Sequence, residues 1–277
     1  MTETDFSFFF KSKKKKEVKG SASELTEIDE DSDYYNMNHC RRGTAIIFNH
    51  TKFDTDLKDR KGSMKDAYDL EDALKNLKFD VTTYHDLKYG AIYDVITNLS
   101  KANHFDADCL LVAVLTHGNT GKIYARDHQY PPDMLWRSFT GDKCPTLAGK
   151  PKLFFIQACR GDEVDEGTRV RNVVQMDSKQ STYTIPVMAD ILIMFSCFDG
   201  YLSWRSQQTG SRFIQCLCSE LKLRAKKNDL LAILTFLNRK MAIGYKKKDQ
   251  DQTKQIGTIV STLTRLLDFY RHENKKS

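Results

Sequence analysis

The chain has 277 residues, of which 40% are hydrophobic and 29% are charged, and its formal net charge at pH 7 is +6. This composition is ordinary for a globular protein, and the length suits one large α/β domain or two small ones. No apolar run approaches the roughly 18 residues of a spanning helix, so we expect no stable membrane insertion. Phenylalanines precede the first lysines, which is the reverse of a secretory signal peptide.

The charges near the N-terminus fall into blocks of one sign. Residues 1–20 hold six lysines, and residues 21–33 hold six acids and no base. Such blocks, with few apolar residues, predict a disordered tail over 1–33. A solvated tail is favoured over a nuclear-import, nucleic-acid or acidic-lipid site at Lys13–Lys16.

The seven cysteines are scattered and form no C-x-x-C pair. An odd, widely spaced set is typical of reduced thiols, so we expect a cytoplasmic protein. Cys216 and Cys218 lie in an apolar run that favours a helix, with no histidine nearby. We therefore expect them in the core or on a helix surface, and not in a metal site.

From residue 43 onward, strand and helix patterns alternate. Strands are predicted over 44–48, 81–84, 109–115, 153–156, 190–197 and 256–263, and helices over 66–77, 92–99, 134–139, 211–223 and 229–241. This alternation predicts a mainly parallel sheet with helices on both faces and a site beyond the carboxyl ends of the strands. The stretch 161–184 has no periodicity and is long for a connection, which indicates a functional or cleavable loop.

Two of these strands end in the two halves of a Cys/His pair. Cys159 follows the apolar run 153–156, and His117 follows the run 109–115. Either residue alone has a simpler explanation, since a strand-end cysteine is usually a small core residue and His-Gly is usually a turn. Together they favour a nucleophilic site. We expect Gly161 to turn the chain away at positive φ.

From about Tyr35 to Tyr270 the chain resembles the caspases, specifically a short-prodomain executioner caspase of the insect type. The matching segments, in the family's order and spacing, are 43–49, 59–62, 116–118, 149–153, 157–161, 185–187 and 203–205. The pentapeptide around Cys159 and the Ser203-Trp204-Arg205 segment are the most specific of these. The resemblance implies a caspase-like three-layer α/β fold, with a central, mostly parallel six-stranded sheet and helices on both faces.

The resemblance also implies the catalytic groups. Cys159 is then the nucleophile and His117 the general base and acid, while the backbone N–H groups of Cys159 and Gly118 bind the oxyanion. A glycine beside the histidine lets the backbone approach the substrate closely. No metal or organic cofactor is needed.

Members of this family cut after aspartate, and the matching recognition positions here are Arg60, Gln157 and Arg205. Arginine donates to a carboxylate through two parallel N–H groups, so two arginines and a glutamine can satisfy both oxygens. An isolated arginine is usually a solvated surface residue. Only the match to the family assigns Arg60 to a pocket.

The substrate-binding segment Leu202-Ser203-Trp204 departs from the family at one position. Leu202 stands where executioners usually carry an aromatic residue, which predicts a roomier pocket for the penultimate substrate residue. Arg212 replaces a usual tryptophan, and the loop at 244–252 is shorter and more basic than usual. These changes predict attraction of acidic groups further back in the substrate.

The family is made as a zymogen that is cut after internal aspartates. The resemblance predicts a prodomain over 1–33, a large subunit over 34–177 and a small subunit over 178–277, which pair into a dimer of heterodimers. Its expected partners are protein substrates with aspartate at the cut, an upstream caspase and inhibitor proteins, in apoptotic execution. The segment before Tyr35 is too short for a caspase-recruitment or death-effector domain.

Residues after each aspartate favour particular processing sites. Asp177 is followed by the small Ser178 and lies in mid-linker, whereas Asp165 is followed by the charged Glu166. We therefore expect the activating cut after Asp177. In the tail, we expect the cut after Asp31, with Asp33 second.

Two other classes of protein remain open at this point. A metacaspase- or legumain-like protease also uses His-Gly and a strand-end cysteine, but metacaspases use an acidic pocket, against which Arg60 and Arg205 argue. A non-catalytic scaffold that binds or inhibits a caspase typically loses the cysteine or the histidine. This chain has both.

Overall fold

The computed structural model describes residues 32–161, 186, 188–201, 203, 205–206, 208–243 and 254–271. The predicted disordered tail, apart from its last two residues, lies outside this part of the chain, as does nearly all of the predicted loop over 161–184.

Eleven strands and four α-helices are present in the described residues. The strands are β1 (Thr44–Asn49), β2 (Asp80–His85), β3 (Leu110–Leu115), β4 (Gly118–Asn119), β5 (Lys122–Tyr124), β6 (Gln129–Tyr130), β7 (Lys152–Gln157), β8 (Ile191–Phe195), β9 (Arg205–Ser206), β10 (Gly210–Ser211) and β11 (Thr258–Ser261). The helices are α1 (Ser63–Asn76), α2 (Tyr89–Lys101), α3 (Arg212–Arg224) and α4 (Leu230–Ile243), with 3-10 turns at Pro132–Leu135 and Pro145–Leu147.

Six of the strands form the central sheet in the order β11-β8-β7-β3-β1-β2. Every neighbouring pair is parallel except β11 with β8, which is antiparallel. The predicted mostly parallel six-stranded sheet is therefore confirmed. The strands β3, β7 and β8 are buried at every residue, as expected when both faces of a parallel sheet are covered.

Each face of the sheet has its own hydrophobic core. Apolar residues of α1, α3 and α4 pack on one face, and those of α2 and the 3-10 turns pack on the other. This arrangement confirms the three-layer prediction. The predicted helix over 134–139 is wrong, because the chain there forms only the short 3-10 turn Pro132–Leu135, which starts at a Pro-Pro pair.

The parallel strands bring their carboxyl ends to one edge of the sheet. His50 follows β1, His117 lies two residues beyond β3, and Cys159 lies two residues beyond β7. The small sheet β4-β5-β6 starts directly after His117. Among the described residues, no helix combines the length and the apolar character needed to cross a membrane.

Candidate active site

Cys159 is a partly buried free thiol held close to Ser203. The backbone N–H of Ser203 donates to the Cys159 Sγ at 3.4 Å, and Sγ lies 3.8 Å from the Ser203 carbonyl oxygen. The preceding residue is fixed by the Ser196 hydroxyl, which accepts from the Ala158 N–H at 3.3 Å and donates to its carbonyl at 3.0 Å. The sulfur therefore projects from rigid backbone at the end of the sheet.

His117 is oriented by a backbone carbonyl. Its Nε2 lies 2.8 Å from the carbonyl oxygen of Lys58, which can only accept, so Nε2 carries a proton and Nδ1 is the acceptor of the neutral ring. The Phe53 ring packs on the imidazole with centroids 4.9 Å apart. Burial, and then the charges of Arg60 and Arg205, lower the pKa of His117. A neutral imidazole at physiological pH can accept a proton from a thiol.

Gly118 is the point where the loops after β3 and β7 touch. A Cβ at this position would lie 2.4 Å from the carbonyl oxygen of Cys159 and 3.1 Å from that of Lys122. Only glycine fits such a close backbone approach.

Gly161 has a comparable steric role, which corrects the sequence-based expectation. It is not among the glycines with positive φ. A Cβ there would lie 2.1 Å from the carbonyl oxygen of Gly200. The absence of a side chain at this position thus serves close backbone packing, and not an unusual turn.

Arg60 is fully buried just before α1, at 0% exposure. Its Nη1 donates to the His50 carbonyl at 2.9 Å and to the Ser63 hydroxyl at 2.6 Å. Within the described part of the chain, its Nε and Nη2 have no hydrogen-bond partner. Burial, and then the nearby charge of Arg205, lower the pKa of Arg60 to about 9. Two cationic groups therefore share a desolvated site, which favours an anion.

Gln157 adds an unpaired acceptor to the same region. Its Nε2 donates to the Ser203 hydroxyl at 2.7 Å, and its buried Oε1 finds no partner among the described residues. Gln255 also donates to the Ser203 hydroxyl, at 3.2 Å, and to the Ser196 carbonyl at 2.6 Å. Ser203 thus links the end of β7 to the segment before β11.

Most of the other residues predicted for substrate binding or processing lie outside the described residues. Arg212 is the first residue of α3, and Leu202 and Trp204 lie outside the described residues. The processing positions Asp31 and Asp177 also lie outside them. Asp33 is exposed, and its carbonyl accepts from the Leu266 N–H at 2.8 Å.

Three groups that shape this site were not found from the sequence. They are the Lys58 carbonyl, the Phe53 ring and the Gln255 amide. A backbone carbonyl has no residue-type signature, and the other two lie in segments without a recognisable pattern. Fold contacts alone bring them to the cysteine and histidine.

The strand-end thiol, the oriented neutral imidazole, the buried Arg60 and the half-buried Arg205 are typical of one class of protein, the cysteine peptidases. The family model "Caspase domain" matches residues 42–268, and the chain belongs to this family. It is a cysteine endopeptidase that cleaves after aspartate in apoptotic execution and is made as a zymogen. The resemblance to insect executioner caspases is thereby confirmed.

Curated relatives and crystal structures agree with this assignment. The chain is 49% identical to Caspase-1 of Spodoptera frugiperda over 253 residues, covering 89% of this chain and 85% of the relative. It is 46% identical to Caspase drICE of Drosophila melanogaster, covering 85% and 72% respectively. The crystal structure of Spodoptera frugiperda Caspase-1 superposes with a TM-score of 0.80 at 49% identity, covering 87% of this chain and 97% of that one.

We predict that Gly118→Ala lowers kcat/KM by at least about 10²-fold, because its methyl group would displace the Cys159 backbone by an ångström or more. Steady-state cleavage of an aspartyl peptide by the processed enzyme measures this. Gly141→Ala is the matched control, since a Cβ there meets nothing within 4 Å. Equal activity of the two variants would show that the close approach is unimportant.

Proposed function

We propose that Cys159 and His117 perform the peptide cleavage. His117 Nδ1 takes the thiol proton, and the thiolate attacks the carbonyl carbon of the scissile bond. The backbone N–H groups of Cys159 and Gly118 stabilise the oxyanion. His117 then protonates the leaving amine, and water hydrolyses the acyl-enzyme. The support is their common position beyond the carboxyl ends of β3 and β7.

The buried Arg60 and the half-buried Arg205 carry the proposal for aspartate recognition. Arg60 has two guanidinium nitrogens without a partner in the described residues, and the charge of Arg205 acts on it. A substrate carboxylate supplies acceptors and neutralises this charge, and Gln157 can donate to it through the second N–H of Nε2, since the first is donated to Ser203. A basic residue in the same place would add a third cation, which disfavours the cleavage preference of metacaspases.

Ser203, Trp204 and Leu202 bind the substrate next to this pocket in our proposal. The support for this is Ser203, whose backbone lies against the Cys159 sulfur. Arg212, at the start of α3, favours acidic residues further back in the substrate. Exposed charges are screened, so we expect about 1 kcal/mol or less from it.

We further propose how the chain matures. Removal of residues 1–31 and a cut after Asp177 give large and small subunits, with the boundaries 34–177 and 178–277 as the approximate folded units. Residues 33–35 pair with Leu266 through backbone hydrogen bonds of 2.8 and 3.1 Å. This pairing favours the cut after Asp31 over Asp33, because a protease needs an unpaired, extended substrate.

Assembly and partners complete the proposal. The strand β11 is the edge of the described sheet beside β8, and Val260 on it is 47% exposed. A free edge can pair with a second copy, which fits a dimer of heterodimers. An upstream caspase would make the activating cut in the cytoplasm, and inhibitor proteins would occupy the same cleft as substrates.

We predict that Cys159→Ala abolishes cleavage, because no other group can act as the nucleophile. His117→Ala should lower kcat by about 10²–10⁴-fold, the usual effect of losing a general acid–base. Because the variants cannot process themselves, all proteins are produced as separate large and small subunits and refolded together. Cys40→Ala and His128→Ala, which change exposed residues of the same types, serve as controls. Normal turnover by either site variant would refute the assignment.

We predict that N-terminal sequencing of the processed protein finds subunits that begin at Ser178 and Ser32. Asp177→Ala should block separation of the subunits, since the cleaved bond lacks its aspartate. Asp165→Ala, in the same linker, is the control and should process normally. A small subunit that begins at Glu166 would contradict the proposed order.

A further inference from the structure

We propose that Asp66 is a positioning residue for aspartate recognition, which acts by holding the β9–β10 hairpin that carries Arg205. This inference rests on the proposed function of Arg60 and Arg205. Asp66 is on the first turn of α1, is 0% exposed, and has no place in the catalytic steps above.

The first support is a backbone tether. The N–H of Ser211 donates to both carboxylate oxygens of Asp66, at 2.8 Å to Oδ1 and 3.0 Å to Oδ2. Ser211 lies on β10, directly opposite Arg205 on β9 in the antiparallel hairpin. The carboxylate thus fixes the strand that pairs with the arginine. If the chain is cut between 159 and 205 as proposed, this contact joins the two subunits.

The second support is steric. Gly210 precedes Ser211 and has φ +85°, and a Cβ there would lie 2.2 Å from the Asp66 Oδ1. The hairpin can approach the carboxylate this closely only because position 210 has no side chain. The strand pairing, the hydrogen bonds from Ser211 and the glycine at 210 therefore all support a close contact between Asp66 and the hairpin.

The third support is electrostatic. Arg60 lies just before α1 and Arg205 lies on β9, and the negative charge of Asp66 raises the pKa of both. Asp66 is the only carboxylate of the described residues whose charge raises the pKa of both arginines. Asp66 therefore compensates part of their charge and holds the hairpin without occupying the substrate's place.

The surroundings of Asp66 consist mainly of donors and cations. The groups that bond to it or act on it electrostatically are Arg60 from the preceding loop, Arg205 from β9, Ser211 from β10, Gln215 and Cys218 from α3, and Lys65 from its own helix. Asp69, one turn along α1, accepts from Gln215 at 2.8 Å. The hydrogen bonds from Ser211 and Gln215 lower the pKa of Asp66, but burial outweighs them and raises it to about 6. A proton on this carboxyl would face donors, so protonation weakens the tether.

The raised pKa of Asp66 indicates that its negative charge does not serve the stability of the fold. A carboxyl whose folded pKa lies above its unfolded value binds protons more tightly in the folded state. Stability therefore falls as pH rises from about 4 to about 6, and the ionised form at neutral pH works against folding. Protonation of Asp66 should therefore impair recognition while leaving the protein folded.

The test measures binding of a fluorescent aspartyl tetrapeptide to the Cys159→Ala protein, refolded from separate large and small subunits. Asp66→Asn keeps one acceptor but places an amide N–H₂ among donors. We expect its Kd at pH 7.5 to rise at least tenfold, while the variant still assembles and melts in one cooperative transition. In parallel, Asp66→Asn in the enzyme with Cys159 intact should raise KM and leave kcat within threefold. Asp69→Asn, one turn further along α1, is the matched control and should bind like the parent.

The pH dependence of peptide binding provides a second measurement. The Cys159→Ala protein should lose affinity as pH falls through about 6, and Asp66→Asn should remove that dependence between pH 7.5 and 5.5. The substrate carboxyl, with a pKa near 4, does not titrate in this range. The inference is overturned by parental binding in Asp66→Asn, by failure of this variant to assemble, or by equal losses in Asp69→Asn. If Arg205→Ala also binds normally, the proposed pocket itself is wrong.

Discussion

Arg60 is a cation held out of water with only part of its hydrogen-bonding capacity used. Its Nη1 is satisfied by the His50 carbonyl and the Ser63 hydroxyl, while Nε and Nη2 are buried without a partner in the described chain. The effective cost of burying an unpaired ion is several kcal/mol. The fold meets that cost through its own packing, and the proposed substrate carboxylate recovers part of it. In our proposal, the binding energy at this site therefore depends on a substrate group that is both negatively charged and shaped to accept from the Arg60 guanidinium.

The parallel sheet explains why the Arg60 cation lies at the same end of the sheet as Cys159. Since β1, β3 and β7 are adjacent and parallel, the residues that follow them share one edge. The imidazole and the thiol follow β3 and β7. Arg60 lies in the loop between β1 and α1, just before the helix begins at Ser63, and Asp66 lies on the first turn of that helix. In our proposal, the loop before α1 serves the pocket directly through Arg60, and the first turn of α1 serves it indirectly through Asp66 and the hairpin.

The sequence was sufficient for the elements with a strong pattern. The buried strands β3, β7 and β8 are continuous apolar runs, and the positions of Cys159 and His117 at their ends followed from those runs. The 3-10 turn at Pro132–Leu135 was mistaken for a helix, because its apolar spacing resembles that of a helical turn. Composition alone favoured a solvated Arg60, and only the family motif placed it in a pocket.

Other parts of the site depend on contacts that no local pattern encodes. The Lys58 carbonyl that orients His117 belongs to a polar loop, and any residue type could supply it. Asp66 reads as an ordinary acid at a helix N-terminus until the hairpin residue Ser211, far along the chain, is packed against it. Gly161 was explained by dihedral freedom, while the fold uses its small size against Gly200. These roles arise because segments far apart in the sequence come into contact in the fold, and the spacing of residues in the sequence does not predict such contacts.

The central claim is that Arg60 and Arg205 recognise a carboxylate and not merely a polar group. The most direct measurement compares kcat/KM for two tetrapeptide substrates that differ only in Asp or Asn before the cleaved bond. Leaving the two cations unpaired should cost roughly 3–5 kcal/mol, so the Asn peptide should be about 10²–10⁴-fold poorer. The same comparison in Arg205→Ala should give a much smaller ratio. Cleavage of the two peptides within tenfold of each other by the unmodified enzyme would contradict the account.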